Sequence, residues 1–292
     1  MAVLVRRNGD TVVGDETGLT RPPTVRGERC MDLRLTGRHA LVCGASQGLG
    51  RATAFELAEL GASVTLLSRS ADALAALAAE LPARQPGQTH SHVVADMLDT
   101  DALAATVGEV IGDHAVHVLV NNSGGPPPGP LWNAEPEAFL TAYRQHVIAA
   151  QVLTQACLPG MREARYGRIV NIISTSVKEP IPNLGVSNTT RAAMAGWAKT
   201  LASEVAPDGI TVNNVLPGYT RTPRLQSLVD ASVKAGRTRE EVERGLLASV
   251  PAARFAEPSE VAALIAFLAS PAAGYINGTS IAVDGGRTRG LS

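Results

Sequence analysis

Short apolar runs alternate with amphipathic stretches along the chain from residue 39 onward. The apolar runs are typical of buried strands, and apolar residues three and four positions apart are typical of helices. The predicted strands are 39–43, 62–67, 92–95, 116–120, 168–173, 210–215 and 279–283, and the predicted helices are 51–60, 71–81, 100–112, 136–158, 189–205 and 258–270. This alternation indicates an α/β fold whose parallel sheet is covered on both faces.

Residues 31–292 are therefore predicted to form a single domain of three layers, a Rossmann-like doubly wound parallel sheet between two layers of helices. Within it, residues 220–257 break the alternation because they are polar and rich in arginine and glutamate. We expect a mobile helical insertion there that covers the substrate. Residues 1–30 carry five arginines and no apolar period, which predicts a disordered N-terminal extension before a natural start at Met31.

The composition narrows the class of ligand. The 292 residues include 26 basic and 27 acidic side chains, and the resulting net charge of −1 argues against a nucleic-acid partner. No apolar run approaches the ~18 residues that a membrane span needs. Cys30, Cys43 and Cys157 are odd in number and widely spaced, which predicts neither a metal site nor a disulfide framework. We therefore expect a cytoplasmic protein that binds a small molecule.

A glycine-rich turn follows the first predicted strand and precedes a helix. Glycines in such a turn let backbone amides approach a pyrophosphate at the helix N-terminus. A purely structural turn is the alternative, but the position between strand and helix favours the binding role. The cofactor-binding residues predicted in this turn are Gly44, Ser46, Gln47, Gly48, Leu49 and Gly50.

The end of the second predicted strand indicates which dinucleotide binds. A carboxylate there would accept hydrogen bonds from the ribose of NAD(H), but this chain has Ser68 and Arg69. A permanently charged arginine beside a small hydroxyl suits the 2′-phosphate of NADP(H). NADP(H) is therefore predicted over NAD(H), with an ordinary surface arginine as the alternative. Asp96, after the third strand, is a candidate acceptor for the adenine amino group.

Further motifs appear in an order that resembles the short-chain dehydrogenase/reductase family over about residues 32–286. They are Asn-Asn-Ser-Gly at 121–124, Gly-Arg-Ile-Val-Asn-Ile at 167–172, Pro-Gly at 217–218 and Val-Asp-Gly-Gly at 283–286. Within the family, the chain is most similar to 3-oxoacyl-acyl-carrier-protein reductases. The resemblance implies a nicotinamide cofactor, a small carbonyl or acyl substrate and a homodimer or homotetramer. The cofactor contacts that it adds are Met97, Asn122, Gly124, Arg191, Pro217, Gly218, Thr220 and Thr222.

The catalytic positions depart from the family's pattern of asparagine, serine, tyrosine and lysine. Ser174 matches the serine, which orients the carbonyl in the family. Ser187 stands where the family has its tyrosine proton donor, and Arg191 stands where it has its lysine. His146 occupies the asparagine position. Together with the proline-rich stretch 122–129, these changes resemble a divergent reductase-like subgroup that lacks the tyrosine–lysine pair.

These replacements leave the proton donor undetermined. A serine hydroxyl is a far weaker acid than a phenol, so Ser187 does not take over proton donation. Arg191 can stabilise negative charge, but it cannot release a proton. The remaining candidates are His146, Lys178 with its neighbour Glu179, Tyr219, and a water bound with the substrate. The alternatives for the side chains are a packed histidine, a solvated charge pair and a loop aromatic.

The combined features predict an NADP(H)-dependent oxidoreductase that acts on a carbonyl or alcohol substrate at an atypical, 3-oxoacyl-reductase-like site. Two alternatives stay open at this stage. One is a non-redox lyase or isomerase that uses the same pocket. The other is a catalytically inactive NADP-binding subunit that partners an active homologue.

Overall fold

The computed structural model describes residues 31–290, and in them one parallel sheet forms the centre of the fold. Its strand order is β3-β2-β1-β4-β5-β6-β7. The strands are β1 (His39–Cys43), β2 (Ser63–Ser68), β3 (His90–Val94), β4 (Val118–Asn121), β5 (Gly167–Ile172), β6 (Ile210–Pro217) and β7 (Ser280–Val283). Every neighbouring pair is parallel, which confirms the predicted doubly wound sheet.

Helices connect the strands and cover both faces of the sheet. They are α1 (Gly48–Glu59), α2 (Ala71–Glu80), α3 (Thr100–Asp113), α4 (Pro136–Tyr143), α5 (Ala149–Glu163), α6 (Gly185–Val205), α7 (Pro223–Lys234), α8 (Arg239–Leu247) and α9 (Pro258–Ala269). None of the helices within residues 31–290 is long and apolar enough to cross a membrane.

The buried apolar side chains form one large cluster on each side of the sheet. One cluster includes Leu57 of α1 and Ile265 of α9, and the other includes Leu153 of α5 and Leu201 of α6. Central strands contribute to both clusters because successive side chains of a strand point to opposite faces. Burying each such leucine contributes about 1.5–3 kcal/mol, so the two clusters hold the three layers together.

Several elements differ from the predicted ones at their ends. The predicted helix 136–158 is interrupted by a π-helical turn at Arg144–Ile148, which separates α4 from α5. Helix α6 begins at Gly185, four residues before its predicted start. The stretch 220–257 contains α7 and α8, and its mobility stays a prediction. The extension predicted for residues 1–30 lies outside the described residues.

The strand order places a crevice at the carboxyl ends of the central strands. β1 lies between β2 and β4, so the connections after β1 and β4 leave the sheet in opposite directions. Ligands of doubly wound sheets bind at this reversal of strand order. The glycine turn after β1 and the segment after β4 both begin there.

Candidate functional site

A cavity of about 690 Å³ opens at the carboxyl ends of the strands. It brings together residues from most of the connecting segments, including nearly all of those predicted from the sequence. The predicted residues in its wall are Gly44, Ser46, Gln47, Gly48, Leu49, Ser68, Arg69, Asp96, Met97, Asn122, Gly124, Ser174, Ser187, Arg191, Pro217, Gly218, Tyr219, Thr220 and Thr222. Gly50, His146 and Lys178 do not line it.

The turn between β1 and α1 has a backbone conformation that side chains at its glycine positions would prevent. Gly44 adopts a φ of 57°, and a Cβ on it would lie 2.7 Å from Nδ2 of Asn122. A Cβ on Gly50 would collide with the carbonyl oxygen of Gly44. Asn122 donates from Nδ2 to the carbonyl oxygens of Cys43 and Gly44, at 3.3 and 3.2 Å. The turn therefore leaves the first amides of α1 free to bind an anion, although Gly50 itself lies beneath the cavity.

The part of the cavity wall that follows β2 and β3, where the sequence predicts the adenine end of the cofactor, carries a loosely held arginine. The guanidinium of Arg69 lies 3.8 Å from a carboxylate oxygen of Asp96, and its side chain is 73% exposed. Asp96 also accepts a hydrogen bond from the backbone of Leu98 at 3.0 Å. An exposed ion pair at this distance contributes little to stability. Arg69 is therefore able to turn toward a phosphate at small energetic cost.

Buried asparagines align the strand ends beneath the cavity. Asn121 donates to Asn171 at 2.8 Å, and Asn171 donates to Asn214 at 2.9 Å. These bonds join the side chains of β4, β5 and β6. Because buried amides are costly to leave unpaired, the row favours a single register at the site.

Ser174 lies just beyond β5 and faces the cavity. Its Oγ accepts a hydrogen bond from the backbone N–H of Ser176 at 3.1 Å. The amide occupies a lone pair of the oxygen and leaves the hydroxyl proton available to a ligand. Ser174 is therefore suited to donate a hydrogen bond to a substrate oxygen.

Ser187 and Arg191 lie one turn apart on α6, and both line the cavity. Arg191 is only 8% exposed and donates to the carbonyl oxygen of Ile172 at 3.0 Å. Burial, with the positive charge of Arg224 nearby, lowers the pKa of Arg191 to about 10. The guanidinium stays protonated at neutral pH even so, and it offers the cavity a permanent positive charge.

His146 lies inside the protein, in the π-helical turn between α4 and α5. Its Nδ1 is 2.6 Å from the hydroxyl oxygen of Ser123, and its Nε2 is buried without a partner among the described residues. Burial, and secondarily the charge of Arg191, lowers the pKa of His146 to about 2. The ring is therefore neutral at physiological pH. Its contact with Ser123 joins the π-helical turn to the segment after β4.

The two other candidate donors have different surroundings. Lys178 ends a short 3₁₀ turn after Ser174 and does not reach the cavity wall. Tyr219 follows β6 and does line the cavity. Its ring packs edge-on against Phe255, with centroids 6.4 Å apart, and the guanidinium of Arg287 lies 5.1 Å from its centre. Tyr219 is therefore the better placed of the two.

Sequence reasoning missed two arginines of the cavity wall, Arg224 and Arg287. Arg224 stands at the start of α7, where it looks like an ordinary helix-terminal residue. Arg287 follows the Val-Asp-Gly-Gly motif near the end of the described chain. Neither position carries a local signal, since only the folding of the chain brings Arg224 to Pro126 after β4 and Arg287 to Thr175 after β5.

Proteins of known activity are similar to this chain over most of its length. A family model described as enoyl-(acyl carrier protein) reductase matches residues 44–288. The 3-oxoacyl-[acyl-carrier-protein] reductase FabG of Haemophilus influenzae is 34% identical over 255 residues, which are 86% of this chain and 98% of that protein. The NADPH-dependent reductase BacG of Bacillus subtilis is 30% identical over 259 residues, which are 88% of this chain and 100% of that protein.

Solved structures of reductases share the fold. YwfH, an NADPH-dependent reductase involved in bacilysin biosynthesis, has a TM-score of 0.82 and 30% identity, with 87% of this chain and 99% of that chain covered. L-sorbose reductase from Gluconobacter frateurii, solved with NADPH and L-sorbose, has a TM-score of 0.83 and 31% identity, with 89% and 100% covered. With the motifs and the strand order, these similarities show that the chain belongs to the short-chain dehydrogenase/reductase family.

Proposed function

We propose that this protein is an NADPH-dependent reductase of a small carbonyl compound. One observation carries the proposal: a single cavity has the glycine turn and Arg69 in one part of its wall and Ser174 in another. The turn has the shape that a pyrophosphate needs, because side chains at Gly44 and Gly50 would close it. NADPH-dependent relatives such as BacG support this choice of cofactor.

Ser174 is proposed to orient the carbonyl. When bound, NADPH supplies the hydride that adds to the carbonyl carbon. The hydroxyl of Ser174 donates a hydrogen bond to the carbonyl oxygen, on which negative charge develops as the hydride arrives. A single preorganised donor of this kind accelerates a reaction by about 10²–10³-fold.

Tyr219 is proposed to give the proton that converts the oxyanion to the alcohol. Among the described residues that line the cavity, it is the only tyrosine, lysine, histidine or cysteine. The serines in the wall are much weaker acids, and Arg191 holds its proton at any physiological pH. The phenol gives its proton to the substrate oxygen and regains one from solvent through the open side of the cavity.

The decisive experiment follows the hydride. NADPH deuterated at C4, in each stereochemical form, is incubated with a panel of ketones, free oxo acids and 3-oxoacyl thioesters. Transfer of deuterium from one form into an alcohol product is the expected result. If NADPH binds tightly but no label moves to any substrate, the reductase proposal fails in favour of a non-redox enzyme or an inactive subunit.

We also propose that residues 220–257 form a mobile cover over the substrate. Helix α7 contributes Arg224, Leu225 and Leu228 to the cavity wall, so its movement would open the site. Hydrogen exchange across 223–247 is expected to slow when NADPH and substrate bind together. Exchange that is equally slow in the free protein would contradict the mobility.

A homodimer or homotetramer is proposed on the family resemblance. Large apolar side chains on and beside α4 are exposed in the single chain, which suits burial against a second copy. They are Leu131, Trp132, Leu140, Tyr143 and Ile148. Light scattering is expected to give the mass of two or four chains, and Leu140→Asp is expected to lower it.

A cytoplasmic location is proposed as well, since Cys43 and Cys157 are buried free thiols.

A further inference from the structure

The part of the cavity around Ser174 is lined by positive charge. Arg191, Arg224 and Arg287 all contribute to its wall. Asp96 is the single carboxylate residue among the described residues of the wall, and it lies near Arg69 at the adenine end. The region where a substrate would lie next to Ser174 therefore has three cations and no lining carboxylate from residues 31–290.

Arg191 and Arg224 approach the same point beside the chain after β4. A Cβ placed on Gly125 would lie 3.5 Å from one terminal nitrogen of Arg224 and 3.7 Å from one of Arg191. Backbone carbonyls hold both side chains there, since Arg224 donates to Pro126 at 2.7 Å and Arg191 donates to Ile172 at 3.0 Å. The absence of a side chain at Gly125 leaves the space next to both guanidinium groups open.

Arg168 is a second buried arginine, and its guanidinium group has more partners than that of Arg191. Arg168 is also buried, but it donates to three backbone carbonyl oxygens and stacks on Tyr166 at 4.1 Å. Arg191 makes one hydrogen bond within the described residues, and the positive charge of Arg224 repels it. Neither Arg191 nor Arg224 forms an ion pair with a carboxylate of residues 31–290. Burying an arginine without an anion lowers the stability of the fold. An anionic ligand that binds next to Arg191 would offset this cost.

We propose that Arg191 and Arg224 bind a carboxylate group of the substrate, so that the enzyme acts on free oxo acids with an apolar chain. This inference rests on the proposed reductase function and specifies its substrate class. Two guanidinium groups that face one space match the oxygens of a carboxylate. Ile173, Ile181, Leu184, Leu225 and Leu228 line the same cavity and offer contacts to an apolar chain.

The test measures binding without turnover. Racemic 3-hydroxyoctanoate and its methyl ester serve as probes, because an alcohol cannot react while NADPH occupies the cofactor site. Calorimetry with the NADPH-saturated protein is expected to show at least about tenfold tighter binding of the acid than of the ester. Arg224→Gln is expected to weaken binding of the acid by about 10- to 100-fold and that of the ester by less than about twofold.

Arg221→Gln is the matched control. Arg221 lies three residues from Arg224 but pairs with Glu257 at 3.1 Å and does not line the cavity. Its substitution is expected to leave both probes unaffected. Arg224→Lys, which keeps the charge but loses the planar geometry, is expected to recover part of the affinity for the acid.

Three results would overturn the carboxylate site. Equal affinity of the wild-type protein for acid and ester would remove it, and so would equal weakening of both probes in Arg224→Gln. Weaker binding of NADPH alone in Arg224→Gln would assign the arginine to the cofactor phosphates. If the acid binds through Arg224 but deuterium never leaves NADPH, the reductase function fails while the anion site stands.

Discussion

One end of the cavity is formed by backbone and the other end is formed by side chains. At the proposed cofactor end, backbone geometry around Gly44 and Gly50 shapes the wall of the cavity. At the proposed carbonyl end, side chains such as Ser174, Arg191 and Tyr219 form the wall. The motif spacing predicts that three of the four catalytic positions of the family have changed residue type. A backbone cradle admits little substitution because any Cβ fills it, whereas a wall of side chains can change its chemistry without disturbing the fold. We therefore expect the cofactor end to keep the family pattern and the carbonyl end to be the part that has diverged.

The largest expected effect is at Gly50. Gly50→Ala places a methyl group against the carbonyl oxygen of Gly44, so the turn must open. Overpacking of this kind costs about 1–3 kcal/mol of folding free energy, and we expect NADPH binding to fall below detection. Denaturant unfolding and calorimetry check the two effects. Gly108→Ala on the exposed face of α3, where a Cβ meets nothing within 4 Å, is the control and is expected to be neutral or stabilising.

Tyr219→Phe tests the carbonyl end most directly. Loss of a general acid lowers a rate by about 10²–10⁴-fold. We expect that loss in kcat with the affinity for NADPH unchanged, measured by steady-state kinetics and calorimetry. Wild-type kcat in the phenylalanine variant would mean that water supplies the proton instead.

Ser174→Ala removes the hydroxyl that is proposed to donate to the carbonyl oxygen. The expected loss in kcat is on the order of 10²-fold, with NADPH binding again unchanged. A rate equal to that of the wild type would take Ser174 out of the mechanism. Loss of NADPH binding would mean that the two ends are less independent than the structure implies.

The buried ring of His146 makes the free energy of unfolding depend on pH. Its pKa is about 2 in the folded protein and about 6.5 in an unfolded chain, so the unfolded state binds more protons between these values. Stability is therefore lost as the pH falls below about 6.5, by about 2 kcal/mol at pH 5 for this group.

His146→Asn is expected to reduce that loss, as measured by denaturant unfolding at pH 7.5 and pH 5. His92→Asn, on an exposed position of β3, is the control and is expected to leave the pH dependence as it is. An unchanged pH dependence in His146→Asn would show that the pKa of His146 is the same in the folded and unfolded states.

The smallest expected effect is at Arg69. Arg69→Ala removes a charge that is proposed to contact only the 2′-phosphate, so NADPH should bind about tenfold more weakly. Binding of NADH, which lacks this phosphate, is expected to stay within about twofold. Equal weakening of both cofactors, measured by calorimetry, would contradict the phosphate contact.

Much of the fold could be predicted because its signals are local. The apolar run at 39–43 becomes β1, and the glycines at 44–50 become the turn before α1. Both could be predicted because the spacing of apolar residues and of glycines is visible within a few neighbouring residues. The break of the predicted helix at Arg144–Ile148 had no such signal. A π-helical turn depends on packing around one inserted residue, and this information is not in the apolar pattern.

The sequence by itself determined the parallel α/β architecture and the order of the family motifs. That Ser187 and Arg191 replace a tyrosine and a lysine stays a prediction from the motif spacing. Only the tertiary structure decided which side chains share the cavity: it left His146 and Lys178 outside and brought in Arg224 and Arg287. The physical reason is the separation along the chain of the residues that interact. Backbone preferences and glycine turns are set by neighbours in the chain, whereas charge and burial at a site depend on residues that meet only after the strands have paired.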